Sequence, residues 1–571
     1  MEIDRLVESL MKRRGIEGEE AVRAFLQPEY DAHTHDPFLF NGMDMAVDRL
    51  LHAFESDERI AVYADFDCDG IPGASILFDT FKKIGYENFE VYLPHRDREG
   101  YGFHIDAIDT LASRGVKLII TVDVGTTAVG PVAHAKSLGI DVIVTDHHEI
   151  VGQLPDAFAI LNPKIAPYPF PHLCGSGVAY KFACALLLKG KQLGIDRFAS
   201  IPNGWEKWLL DLVAIATVAD MVPLVGENRV LTFWGLQVLR KSQRPGISAL
   251  CTLLRIKKPE LTETDIGFSI APRINAASRM DEPDLALHLL TTKDRAQADQ
   301  LALQLEGLNT KRKGAAGAIV RAAKKHARTR FTDDEKVIVL GDPEWKPALL
   351  GLAANSVLAD RSGVVCLWGR DANGKLKGSC RSDGEISLAE LFTSARELFD
   401  ECGGHTASGG FSVSHERVHD LHERLAQFAA NLPRNETQEQ DPASAEHEKM
   451  YLPDISWTLY NEVSRLAPFG MGNEKPTFLI EHARVATVRT FGKDNAHVEM
   501  TLSDEKGFTI RAFEFFKRPD DFTHAPEEGG MARIVATLER DAFRGPAKLA
   551  LRIVDVLPPD STSGTGISAA S

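Results

Sequence analysis

The chain lacks any run of 18 uncharged apolar residues, which argues against a membrane-spanning helix. Its most apolar stretch, Trp208 to Val225, is broken by Asp211 and Asp220. Cysteine is sparse and irregular: the seven residues (68, 174, 184, 251, 366, 380, 402) contain no CxxC pair. An odd, scattered count in a large chain reads as reduced thiols in the cytoplasm. The opening segment, MEIDRLVESLMKRRG, is charged throughout and has no apolar core of the kind a signal peptide carries. No internal repeat is visible. Basic charge is in deficit, with 65 Lys+Arg against 81 Asp+Glu and a net charge of −16. That balance excludes a histone-like polycation, but it leaves room for a local basic track that contacts phosphates.

What is present is an ordinary globular composition, 44% hydrophobic and 26% charged over 571 residues. At roughly 150 residues per domain this length predicts about three or four domains. From residue 59, short β-rich runs (59–64, 88–93, 116–122, 141–145) alternate with helix-like stretches near 73–84, 105–113 and 129–138. The runs are nearly all apolar, so the rhythm predicts a parallel sheet with helices on both faces. Residues 283–330 read as long helices, with Leu301, Leu305 and Leu308 on one face. A second mixed α/β segment spans 336–430, and the polar stretch 431–450 reads as a linker. From 483 to 556 the apolar residues alternate, as in Val498, Met500, Leu502 and Leu549, Leu551, Ile553, which predicts a small β-barrel or sandwich. The tail, 558–571, has the composition of a disordered segment.

Acidic residues follow three of the predicted strands: Asp65, Asp67 and Asp69, then Asp123, then Asp146-His147-His148. Strand C-termini of a parallel sheet share one edge, so these groups should converge. Carboxylates gathered at one spot repel unless cations neutralise them, and a mixed Asp/His set suits Mg²⁺ or Mn²⁺. Asp220, which interrupts an apolar run, could complete the set. An EF-hand is excluded, since position 76 is Ile where its loop needs Glu. A zincin is excluded too, because Gly152 stands where HExxH needs its second His. Any one of these aspartates could simply cap a helix; all of them together are harder to explain that way. Three further features stand beside this cluster: the small-residue loop 377–382, the glycine-rich loop 403–410, and eight Lys/Arg without an acidic residue across 311–330. The two loops could cradle phosphate or be tight turns, and the basic stretch is a solvated face in the commoner case. Phe513, Phe515 and Phe516 beside Arg511, Lys517 and Arg518 could stack bases or fill a barrel core.

The ordered motifs resemble the DHH phosphoesterase superfamily, and within it a bacterial branch of single-strand-specific exonucleases. The matching residues are Asp65-Phe-Asp67-Cys-Asp69-Gly70, Thr121-Val122-Asp123, Asp146-His147-His148-Glu149 and Ala219-Asp220. They are joined by Glu99-Gly-Tyr-Gly102, Leu173-Cys-Gly-Ser-Gly177, Pro272-Arg-Ile-Asn-Ala-Ala-Ser-Arg279 and Leu466-Ala-Pro-Phe-Gly-Met-Gly-Asn473. The resemblance implies an α/β multidomain chain. Its parts are an N-terminal segment (1–40), a parallel-sheet DHH catalytic domain (41–235) and a helical connector (236–330). After them come a DHHA1-like accessory domain (331–432), a linker (433–450), an OB-like β-barrel (451–557) and the tail.

It also implies two divalent ions, Mn²⁺ or Mg²⁺. Asp67 would ligate one, Asp69, His147 and Asp220 the other, and Asp123 would bridge them. Asp65 and His148 would complete the catalytic set, and Arg96, Arg273, Arg279, Ser379, Arg381 and His405 would hold DNA phosphates. The implied activity is stepwise release of 5′-mononucleotides from single-stranded DNA in repair and recombination. The implied state is a monomer, with a single-strand binding protein and a helicase as candidate partners. A hydrolase of short oligonucleotides, cyclic dinucleotides or pyrophosphate, and a catalytically dead scaffold, stay open beside it. Three positions depart from the family pattern: Tyr63, Lys346 and Ser408-Gly409.

Overall fold

The structure is a computed structural model and describes residues 3–332, 334–435, 447–492, 495–541 and 545–559. The chain divides into two compact units, Tyr30–Thr437 and Met1–Glu29 with Gln438–Ser571. The first is built on a five-stranded sheet of β1 (Arg59–Ala64), β2 (Phe89–Tyr92), β3 (Val116–Val122), β4 (Asp141–Thr145) and β5 (Ala159–Leu161). The strand order is β2-β1-β3-β4-β5 and every pairing is parallel. Alternation along the strands sorts the side chains. Ile60, Val62, Leu118 and Ile120 enter one core with helices Met43–Glu55, Gly70–Ile84 and Gly175–Gln192. Ala61, Tyr63, Ile119 and Val142 enter another with helices Ile105–Ser113 and Val129–Ser137. Both faces are thereby dry, which explains why the strands read as continuous apolar runs.

The stretch expected as a connector, 236–330, divides in two. Residues from Ile247 to Leu308 belong to the main core, and only the far half of the helix Arg295–Arg330 reaches the accessory sheet, through Ile319, Ala323 and Ala327. That sheet contains β6 (Val337–Gly341), β7 (Val364–Arg370), β8 (Leu376–Ser382), β9 (Glu401–Gly404) and β10 (Ser408–Val413), ordered β6-β7-β8-β10-β9. Cys366 on β7 and Cys380 on β8 are direct cross-strand partners joined as a disulfide, leaving five free cysteines. This corrects the expectation of seven thiols. Strand pairing brings together residues whose 14-residue separation carries no signal.

In the second unit, β12 (Phe478–Phe491), β13 (His497–Ser503), β14 (Thr509–Glu514), β15 (Met531–Asp541) and β16 (Lys548–Leu557) close into a barrel through the β12–β15 pairing. Val498, Met500, Leu502, Leu551 and Ile553 fill it, as their period-2 spacing predicts. A short β11 (Glu448–Met450) pairs parallel to β12, so the end of the expected linker is a strand. Residues 436–446 of that linker, and the tail from 560, lie outside the described residues. The N-terminal segment also divides. Leu6, Leu10 and Met11 join the barrel's core, whereas Phe40 joins the sheet's. Asn473, in the LAPFGMGN segment, binds the Leu466 and Pro468 carbonyls and accepts from Arg14 Nε, tying helix Ile3–Arg13 to this unit.

A buried ion-pair network sets the helices behind the acidic edge. Arg244 lies 2.7 Å from Asp79 on helix Gly70–Ile84 and 3.1 Å from Asp211 at the start of helix Leu210–Ala219. It also donates to the Leu290 carbonyl. Removing one partner strands the others in a dry core. Arg244→Leu should therefore destabilise this unit by about 3–5 kcal/mol, read as a lowered denaturant midpoint; an unchanged midpoint would refute the network's role.

Candidate metal centre

Asp65 follows β1, Asp123 follows β3, and Asp146-His147-His148 follows β4, so three adjacent strands deliver their acidic ends to one edge. Asp220 arrives from the C-terminus of helix Leu210–Ala219. Ligand atoms of Asp65, Asp67 and Asp123 lie within 4.8 Å of one another, as do those of Asp69, His147 and Asp220 and those of Asp123, His147 and His148. His147 Nε2 is 3.2 Å from Asp123, 3.6 Å from Asp220 and 3.7 Å from Asp69. Asp123 is thus shared between groups, as a residue bridging two ions must be.

Backbone donors hold the carboxylates in place. Asp67 Oδ1 accepts from the Asp69 and Gly70 amides at the start of helix Gly70–Ile84. Asp69 accepts from the Gly175 and Ser176 amides at 2.6 and 2.7 Å, the N-terminus of helix Gly175–Gln192, where the helix dipole favours negative charge. A Cβ on Gly175 would lie 2.6 Å from the Asp123 Cβ, so only glycine admits this approach. Asn275 Oδ1 accepts from the Cys68 amide and steadies the same loop.

The cluster carries more charge than its surroundings can neutralise. Asp65 Oδ1 and Asp123 Oδ1 are buried without a hydrogen-bond partner. Burial first, then neighbouring carboxylates, push Asp65 and Asp123 far above the usual range and Asp220 up to about 8. Burial lowers His147, favouring the neutral imidazole that can ligate. Orphaned oxygens with one imidazole are the donor set of hard divalent ions, and they fit two Mn²⁺ or Mg²⁺.

Asp146 behaves differently from the other aspartates and does not face this pocket. It accepts from the Thr126, His147 and His148 amides and from His148 Nδ1 at 2.7 Å. Burial opposes its charge, yet the bonds from His148 and Thr126 outweigh that and hold the carboxyl low. In return, His148 is raised to about 9 by Asp146 against the opposing effect of burial. Its ring also meets Tyr101 Oη at 3.2 Å. This corrects the expectation that Asp146 faces cations with the other aspartates, and its hold on His148, like that of Tyr101, comes from the fold.

Around this centre gather guanidinium groups. Arg279 is lowered to about 9 by burial and then by Arg96 and Arg312, with Arg381 adding to them. Arg96 lies 4.9 Å over the Phe66 ring, and Gly351 makes room for Arg381, whose Nη2 would be 2.5 Å from a Cβ there. Arg312 belongs to the basic stretch 311–330 seen in sequence, where nothing sets it apart from its seven basic neighbours. Ser379 lies beside Arg381 on β8, and His405 sits exposed near Glu149, whose carboxylate Lys164 and then His405 hold low. Arg273 is close enough to Arg312 to help lower it, after burial, but its own groups are bonded elsewhere. It is 8% exposed, with Nε donating to Glu306 at 2.7 Å and Nη1 to the Ser269 carbonyl, so its charge is already engaged. In the barrel unit, Arg511 is likewise engaged by Glu499 and Asp541, whereas Phe515 and Phe516 are exposed and flank His497.

Family models match the chain in three places: the DHH family N-terminal domain over 59–217, the DHHA1 domain over 334–431 and the RecJ OB domain over 448–555. With the carboxylate edge, these define a phosphoesterase of the DHH class. Among curated proteins, the single-stranded-DNA-specific exonuclease RecJ of Bacillus subtilis is 37% identical over 513 residues. The match covers 88% of this chain and 62% of that protein. The RecJ of Haemophilus influenzae is 31% identical over 551 residues, covering 92% of both. Among solved structures, RecJ of Thermus thermophilus in complex with Mn²⁺ superposes with a TM-score of 0.77 at 27% identity, covering 97% of this chain and 78% of that one. The chain belongs to the RecJ family.

Asp123→Ala should abolish binding of both ions, counted as Mn²⁺ bound per chain by calorimetry, together with hydrolysis. Asp146→Asn, which removes only the carboxylate that orients His148, should cost about 10- to 100-fold in activity with Mn²⁺ stoichiometry kept. Wild-type Mn²⁺ stoichiometry in Asp123→Ala would overturn the shared-ligand reading.

Proposed function

We propose that the chain is a single-stranded-DNA-specific 5′→3′ exonuclease that releases 5′-mononucleotides, acting in DNA repair and recombination. The observation that carries this reading is the convergence of seven Asp and His side chains, with Asp123 shared, opposite the Arg96, Arg279 and Arg381 cluster. The RecJ relatives named as single-stranded-DNA-specific exonucleases support it. In this reading Asp67, Asp65 and Asp123 hold one ion and Asp69, His147, Asp220 and Asp123 the other. When bound, the ions supply an acidified water and charge neutralisation at the leaving oxygen.

The chain's own groups do the rest. The guanidinium cluster fixes the phosphate so that the scissile bond faces the carboxylates. His148, oriented through Nδ1 by Asp146, turns its other ring nitrogen toward charge developing on a phosphate oxygen. Ser379 and His405 line the same approach, and Arg273 serves as a brace for helix Ala271–Arg279 through Glu306. The proposed division into catalytic (41–235), accessory (331–432) and OB-like (451–557) parts follows the same reading, with 236–330 shared between the cores of the first two. So do single-stranded DNA as the partner, a monomeric state and a cytoplasmic location, with a single-strand binding protein and a helicase as further partners. No helix among the described residues is long and apolar enough to cross a membrane. A hydrolase of dinucleotides or pyrophosphate is less favoured, because such a substrate leaves the C-terminal barrel without a task.

Digestion of 5′- and 3′-labelled single and double strands with Mn²⁺, Mg²⁺ or chelator tests polarity, strandedness and metal dependence together. The expected result is mononucleotide release from 5′ ends of single strands only, lost with chelator; attack on duplex or 3′ ends would defeat the proposal. In the barrel, Phe515→Ala with Phe516→Ala should weaken binding of a long single strand by about 1–3 kcal/mol per base stacked, while dinucleotide hydrolysis is unchanged. Equal loss of both would count against the barrel as a clamp.

A further inference from the structure

Phe268 is 75% exposed, the most exposed large apolar side chain described in the Tyr30–Thr437 unit. Leaving a phenylalanine in water forgoes burial that the fold could otherwise use. Its backbone is equally unusual. Residues Ile266–Ile270 form a π-helical turn, closed by the Ala271 amide on the Ile266 carbonyl, and such turns are rare and concentrate at functional sites. Ile266 and Ile270 are both fully buried, so the wide turn is anchored from one side while Phe268, between them, is held outward.

The segment runs straight into the candidate site. The π turn continues as helix Ala271–Arg279, where Asn275 holds the Cys68 amide of the aspartate loop and Arg279 enters the guanidinium cluster. Phe268 lies seven residues before Asn275, about 10 Å along the helix axis. On the other side, a Cβ on Gly267 would be 3.8 Å from Val218, two residues before Asp220. Met221, directly after Asp220, is itself 66% exposed and held at φ 58°. An aromatic face therefore stands on the segment that packs against Val218, just before Asp220, and leads into Asn275 and Arg279, with no ring contact of its own among the described residues.

We propose that Phe268 is a base-stacking platform for single-stranded nucleic acid, gripping a nucleobase near the end that is cleaved. The inference rests on the proposed function and adds what its phosphate contacts lack: a grip on the bases that tolerates any sequence, since every base has a π-face. Unpaired bases can lie against this ring, whereas bases stacked within a duplex cannot, so Phe268 also favours single strands over double.

The test uses the full chain and a fluorescein-labelled oligonucleotide in chelator, where binding is read without cleavage. Phe268→Ala should weaken binding about 5- to 150-fold, and Phe268→Tyr should restore it. With metal present, the loss should appear as a raised KM for a long strand. An oligonucleotide whose 5′-proximal positions are abasic should bind the wild type and Phe268→Ala equally. Unchanged binding in Phe268→Ala, or a loss that persists on the abasic strand, would overturn the platform. A wild type that binds strands with this Phe268 dependence but never hydrolyses them would sink the exonuclease reading alone.

Discussion

Like-charge repulsion at the edge of the parallel sheet is the constraint that organises the catalytic unit. Asp65, Asp67, Asp69, Asp123 and Asp220 are drawn together by elements that end at one place, and burial sharpens their mutual repulsion. Such a cluster survives folding only where its charge is met from outside the carboxylates. Some of that compensation is backbone: the Gly175 and Ser176 amides serve Asp69, and the Asp69 and Gly70 amides serve Asp67. What backbone donors leave unmet, at Asp65 and Asp123, is the part that divalent cations satisfy.

The geometry of close approach follows from this. Glycine at 175 lets a helix N-terminus come within contact of Asp123, and glycine at 351 gives Arg381 its room, so the small residues of these motifs are steric conditions on the charges they adjoin. Behind them, Arg244 ties the helix that begins after Asp69 to the helix that ends at Asp220. The metal-facing side chains are therefore set by elements whose mutual positions are themselves fixed by a buried charge network, which limits how far the edge can relax when empty.

Much of this was readable from the chain alone. Continuous apolar runs marked buried parallel strands, their ends marked the site edge, and alternation at 498–502 and 549–553 marked a barrel interior. What escaped was what depends on pairing across the fold. Nothing local in PRINAASR says that Arg273 will be captured by Glu306, 33 residues on, while Arg279 donates to the Ala348 carbonyl beside other arginines. The Cys366–Cys380 link, the sharing of residues 1–40 between two cores, and the turn that pushes Phe268 outward have the same origin. A helical period read from sequence assumes i→i+4 bonding, so an i→i+5 turn shifts every face after it without leaving a compositional trace.

The net charge of −16 takes on meaning through its distribution. The acidic edge is neutralised locally when cations bind, whereas burial first, and then the nearness of Arg96, Arg312 and Arg381, lowers Arg279's own affinity for its proton. These groups bond to neutral acceptors, Arg279 to the Ala348 carbonyl, Arg312 to Asn309 and Arg381 to the Cys380 carbonyl, so their positive charge is not neutralised by those bonds. A phosphate in their midst relieves them as a cation relieves the aspartates. In the proposed reading both imbalances are cancelled by the same complex, metal on one side and substrate phosphate on the other. In that reading the binding energy comes from charge that folding leaves without a counter-charge, on both sides of the site.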